Sequence, residues 1–317
     1  MSKFEEFIAE VTQEQWDELA LQLAHRIHEV DRQATRIWYS FWPLKLTALL
    51  QGGDREAVIR DYRLRGEFEL GNQIDSAISF LYGAKYWPQV KAEIVARNEI
   101  GEAGSDLLPE IQASAERVAK TVGADPSIIC GITAVAYLMS AHVGVGALRQ
   151  SGTGAARLSR LHRSKPENLC RRRSRQKGPG LFGFLNGAER KFPVLTDEHR
   201  DGGYVFRAFQ AQDLSMAAKS DTRDYTQIDS RRLEGPIPFE CRSASCGFCW
   251  VGLLSPPDRL DKISPHEWRR LKYFGYIGEA ASPADYPLIR LSCQSHCQGD
   301  VQVVVSPWNG MLDGRGE

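Results

Sequence analysis

Three cysteines crowd into one short run, Glu240-Cys241-Arg242-Ser243-Ala244-Ser245-Cys246-Gly247-Phe248-Cys249-Trp250, and a fourth, Cys293, follows inside Arg290-Leu291-Ser292-Cys293-Gln294. The spacing C-x4-C-x2-C obliges one loop to wrap a common centre, while a distant segment closes it. Such a set suits a two-iron, two-sulfide core, which needs four thiolates in tetrahedral positions and a dry shell of N–H donors around anionic sulfur. Ser243, Ala244, Ser245 and Gly247 are small enough to let the backbone bend close. Zinc competes for cysteines, but it favours paired knuckles such as two C-x2-C units. Cys293-x3-Cys297, with His296 between them, could supply half of such a site and would leave Cys241 over. The diiron reading uses Cys241 and leaves only Cys297. Disulfides are the third alternative.

Residues from about 190 to 312 resemble the 2Fe-2S ferredoxin domain of the β-grasp fold. Pro238-Phe239-Glu240-Cys241, Cys246-Gly247-Phe248-Cys249, Ile289 to Gln294 and Gly299-Asp300-Val301-Gln302-Val303-Val304-Val305 carry the likeness. It implies that Cys241, Cys246, Cys249 and Cys293 ligate a [2Fe-2S] cluster, that Cys297 has no counterpart, and that the domain transfers single electrons. Three departures stand out. Between Cys249 and Cys293 lie 43 residues, more than in compact members, and the excess is expected between Ser255 and Asp285. There Ser264-Pro265-His266-Glu267 opens like a capped helix that Trp268, Leu271, Lys272 and Tyr273 continue. Phe248 and Ala244 replace a small polar residue and a glycine. The segment before the loop is faintly patterned: strands are expected at Val194-Leu195 and Tyr204-Val205-Phe206 around Gly202-Gly203, and a helix over Thr226 to Leu233.

A net charge of zero over 317 residues argues against nucleic acid as a general partner. Residues 1–150 hold 15 Lys/Arg against 21 Asp/Glu, and residues 151–190 hold 10 against 2. A basic stretch therefore divides two mildly acidic parts. It contains Ser151-Gly152-Thr153-Gly154 and the run Arg171-Arg172-Arg173-Ser174-Arg175-Gln176-Lys177, ending in Gly178-Pro179-Gly180, and reads as a mobile tether with one docking patch at Leu181 to Leu185. The opening Met1-Ser2-Lys3-Phe4-Glu5-Glu6 is not a secretory signal, and an odd remainder of Cys130, Cys170 and Cys297 suits a reducing compartment.

The first half reads as helical. Thr12-Gln13-Glu14-Gln15 forms a capping box, after which Trp16, Leu19, Leu23, Ile27 and Val30 recur on one face. A second helix carries Ile37, Phe41, Leu44 and Leu49 toward Gly52-Gly53, interrupted at Pro43. Others are expected at 54–64, 70–82, 88–96 and 109–122. Trp38, Tyr39, Phe41 and Trp42 with Phe80, Tyr82, Tyr86 and Trp87 would form core before they would form a cofactor pocket. His25 and His28, one turn apart, are read as structural. Ile128 to Leu148 lacks Asp, Glu, Lys and Arg and has the length of a membrane span, but its glycines, Thr133, Ser140 and His142 favour a buried central helix.

These observations predict an α+β multidomain chain: an all-α helical domain at 1–150, a basic linker at 151–190 and a β-grasp ferredoxin-like domain at 191–317. The expected role is an electron-transfer protein, or a subunit of an oxidoreductase, whose helical domain docks it to a larger redox protein or complex. A helical domain that binds a substrate or second cofactor is the alternative. No G-x-G-x-x-G opens a βαβ unit to suggest a nicotinamide or flavin site. The expected location is cytoplasmic, with peripheral association at the inner face of a membrane as a further reading.

Overall fold

The computed structural model describes residues 2–42, 48, 50–61, 69–101, 106–151, 158–175, 190–276 and 284–307. The chain divides into two compact units. One comprises Met1–Ala48 and Glu69–Glu167; the other comprises Leu49–Phe68 and Asn168–Glu317. In chain order the helices are α1 (Lys3–Ala9), α2 (Gln13–Leu23), α3 (Glu29–Phe41), α4 (Arg55–Asp61), α5 (Trp87–Ile100), α6 (Leu107–Val122), α7 (Pro126–Gln150), α8 (Pro166–Ser174), α9 (Leu214–Lys219) and α10 (Pro265–Tyr273). The strands are β1 (Lys191–Thr196), β2 (Tyr204–Phe209), β3 (Trp250–Leu253), β4 (Ile289–Leu291) and β5 (Val301–Val305). The architecture is α+β, with helices first and a mixed sheet toward the C-terminus.

The first unit is organised around α7. Asp125 caps it and Pro126 starts it, and every residue from Ile128 to Ser140 is buried, so no polar face is left for water. α1, α3, α5 and α6 cover it. By length and composition α7 could cross a membrane, but 83% of its most apolar window lies inside this unit. The helix breaks at Gly144, whose φ of 76° and ψ of 154° are not helical. The Val145 amide released there donates to Glu5 Oε1 at 3.2 Å, so a side chain of α1 restarts the helix.

Two expected helices take other forms. The stripe Trp16, Leu19, Leu23, Ile27 and Val30 is buried as a set but is shared by α2 and α3. His28 divides them: its Nδ1 accepts from the Val30 amide at 3.1 Å and caps α3. Residues 70–82 form successive turns in place of a helix, with Gln73, Ser76, Ser79 and Leu81 each donating to the carbonyl three residues back. Gly71, Asn72, Asp75 and Ser76 are poor helix formers, and tertiary anchors take over. Trp38 Nε1 donates to the Ala77 carbonyl at 3.1 Å, and the Tyr82 and Gly83 amides donate to Asp31 at 2.7 Å each. The continuation of the second expected helix through Leu44 and Leu49 lies outside the described residues.

In the second unit the strands form one sheet in the order β2-β1-β5-β3-β4, with β1 parallel to β5 and the other pairs antiparallel. β1, β2, β3 and β5 all supply residues, among them Val194, Phe206, Val251 and Val303, to a core closed by Leu214, Ala217 and Ala218 of α9. The helix expected over Thr226 to Leu233 is absent, and α9 lies earlier in the chain. Asp224 and Asp229 instead accept the Thr226 and Arg231 amides, turns that compete with a helix. Arg231 and Arg232 are buried to pair with Asp229 and Asp197.

Part of the expected tether is helical. α8 spans Pro166–Ser174, and Arg173, read from the sequence as part of a solvated charge run, is buried against Glu198, with Nε at 3.1 Å from Oε1. A buried carboxylate needs that partner. Residues 152–157, 176–189 and the expected docking patch at Leu181 to Leu185 lie outside the described residues.

Candidate metal centre

Cys241, Cys246 and Cys249 lie on the loop that leads into β3, and Cys293 follows β4. The register pairs Trp250 with Leu291, and the Ser292 amide donates to the Cys249 carbonyl at 2.9 Å. Sheet pairing alone thus brings the fourth cysteine to the third.

The sulfurs are grouped two and two. Cys241 and Cys246 interact as one pair, Cys249 and Cys293 as the other, and electrostatic coupling of Cys246 to Cys249 and of Cys241 to Cys293 places the pairs side by side. A hydrogen bond from Cys246 brings the Cys241 thiol down to about 3, while its bond to Cys241 and burial push Cys246 up. Cys249 is pushed up in the same way by Cys293 and by burial, and Cys293 is lowered by Cys249. Cys249 and Cys293 are buried; Cys241 and Cys246 are partly open to solvent.

The loop backbone points donors at sulfur. The amides of Ser243 and Cys246 each lie 3.4 Å from Cys241 Sγ, the Ala244 amide faces Cys293, and Gln294 Nε2 is 3.6 Å from Cys293 Sγ. Arg242 and Ala244 reach that geometry with positive φ of 56° and 60°, the alternation that turns successive amides inward. Gly247 has φ of 62°, and a Cβ there would come within 2.8 Å of the Phe274 ring.

One wall of the site is aromatic. Phe248, Trp250, Phe274 and Tyr276 are buried, with the Trp250 and Tyr276 rings 4.2 Å apart. The other support is α10. Its Arg270 donates to the carbonyls of Ala244 at 2.9 Å and Ser245 at 2.5 Å, and His266 Nε2 lies 3.2 Å from the Ser243 carbonyl. Ser264 caps α10 by accepting from the Glu267 amide at 3.0 Å, as the sequence suggests. Glu267 and Arg290 are both fully buried, bridged by two contacts of 3.0 Å, and Glu267 also accepts the Leu291 amide at 2.8 Å. This lock ties α10 to the strand that delivers Cys293.

Cys297 is not part of the group. It lies in the core with its thiol 3.2 Å from the Gly299 carbonyl, and burial raises it to about 11. His296 is held by Asp261 at 2.8 Å. The zinc half-site conceivable from Cys293, His296 and Cys297 is thus pulled apart. Among the described residues no three His, Cys, Asp or Glu side chains gather around a point that could hold one metal ion. Four thiols in two adjacent pairs, with amides aimed at sulfur and a dry wall behind, fit a core of two metals with two thiolates on each.

The other candidates are structural. His25 is exposed and His28 caps α3. Trp38, Tyr39, Phe41, Trp42, Phe80, Tyr82 and Trp87 are buried and Tyr86 half-buried, with several of the rings packed edge to face. What spacing did not reveal is the α10 clamp and the Glu267–Arg290 lock, for which the charged residues of the insertion were the available signal. Family models, curated proteins and solved structures yield no match to this chain.

Proposed function

We propose that Cys241, Cys246, Cys249 and Cys293 hold a [2Fe-2S] cluster and that the chain passes single electrons between redox proteins. The pairing of the four thiols, two and two, carries the reading. When bound, such a cluster alternates between two states that differ by one electron. The chain's own groups supply the rest: four sulfur donors, amides that stabilise negative charge on sulfur, and an aromatic wall that excludes water. The strand order β2-β1-β5-β3-β4, with its parallel central pair, supports the β-grasp reading of the second unit. The first unit, with its aromatics packed on one another, is read as the part that docks the carrier to a larger oxidoreductase or complex.

The test is a reductive titration of anaerobically prepared protein. One electron per chain should bleach the visible absorption reversibly. Cys293→Ser should abolish the chromophore and Cys297→Ser should retain it. Two electrons per chain, or loss of colour only in Cys297→Ser, would refute the assignment.

A further inference from the structure

The more accessible sulfur pair is framed mainly by positive charge. Arg242, between Cys241 and Cys246, is exposed and leans on Met216. On α10, the residues Glu267, Trp268 and Leu271 face inward, while His266, Arg269, Arg270 and Tyr273 follow at the spacing of a single stripe on the other side. Two members of that stripe, His266 and Arg270, touch three of the four carbonyls between Cys241 and Cys246. The loop and α10 together offer Arg242, Arg269 and Arg270, against one exposed carboxylate, Glu240, since Glu267 is buried on Arg290. Among the described residues, Arg242, Arg269 and Arg270 have no carboxylate within ion-pair distance. Three arginines without a carboxylate partner around the most accessible sulfurs form a complement to negative charge.

We infer that this rim is the docking face for an acidic redox protein, and that electrons cross at the Cys241 and Cys246 edge. The inference rests on the diiron reading. Arginines that served only to offset the charge of the sulfur centre would need to face it; Arg269 is exposed and makes no hydrogen bond to the loop among the described residues.

Full-length protein is tested for equilibrium binding, by fluorescence anisotropy, to an acidic one-electron carrier, flavodoxin, and to a basic one, cytochrome c. The wild type should bind flavodoxin more tightly at low ionic strength, with affinity falling at least about tenfold as salt shortens the Debye length from about 30 to 8 Å. Arg269→Glu should weaken flavodoxin binding about tenfold and strengthen that of cytochrome c, while Arg269→Lys retains the wild-type order. Oxidation of the reduced protein by ferricyanide, an anion, should slow in Arg269→Glu, and oxidation by hexaamminecobalt(III), a cation, should accelerate. Preference for cytochrome c, or affinities and rates unchanged by Arg269→Glu in iron-loaded protein, would overturn the docking face and leave the diiron reading standing. Protein that takes up no iron would instead remove the diiron reading, and the electron path with it.

Discussion

Gly247 shows how little room a single residue has at the site. A methyl group there meets Phe274 at 2.8 Å and must also sit at positive φ, so Gly247→Ala should shift the loop and lower cluster occupancy at least severalfold, read from visible absorbance per protein. Cys297 lies at the opposite extreme. Its thiol occupies apolar core, and Cys297→Ser should keep the absorbance while costing about 1–3 kcal/mol in urea unfolding, because a hydroxyl replaces a weakly polar sulfur. In the first unit His142 makes a separate mark on stability. Burial lowers its imidazole from 6.5 to about 4 in spite of a backbone bond at Trp42. The unfolded chain therefore takes up a proton between those values that the folded chain refuses. Stability is complete above about pH 6.5 and falls by up to roughly 3 kcal/mol as pH drops through about 4. His142→Gln should flatten that slope in urea unfolding followed across the window.

At the scale of elements, α10 and β4 act as one device. The Glu267–Arg290 bridge has no access to water, so removing Arg290 strands Glu267; Arg290→Met should cost about 3–5 kcal/mol and loosen Cys293 together with α10. Loss of cluster with intact secondary structure, read by circular dichroism, is the expected pattern. Which elements the sequence foretells follows from how local their causes are. The cap at Ser264, the hairpin around Gly202-Gly203 and the buried run of α7 each rest on adjacent residues, and each is present. The turns at 70–82 rest on distant partners, Asp31 for the Tyr82 amide and Ala77 for Trp38, while the break at His28 and the missing helix before the cysteine loop combine local side-chain bonds with distant ones, Ser127 for the His28 amide and Asp197 for Arg232. Spacing likewise groups the cysteines, since it records how a loop can bend. It is silent on the clamp that α10 makes, whose Arg270 reaches carbonyls 25 and 26 residues earlier.

For the whole molecule, the two units divide the work by composition. One is a helical body around an apolar helix; the other is a mixed sheet whose edge loop and last strands gather four thiols. The account's central claim is that those thiols serve two irons. Iron, zinc and acid-labile sulfide counted per chain in protein prepared without oxygen test it most directly. The account predicts about two irons and two sulfides with negligible zinc. One zinc and no sulfide, or no metal at all in folded protein, would contradict it.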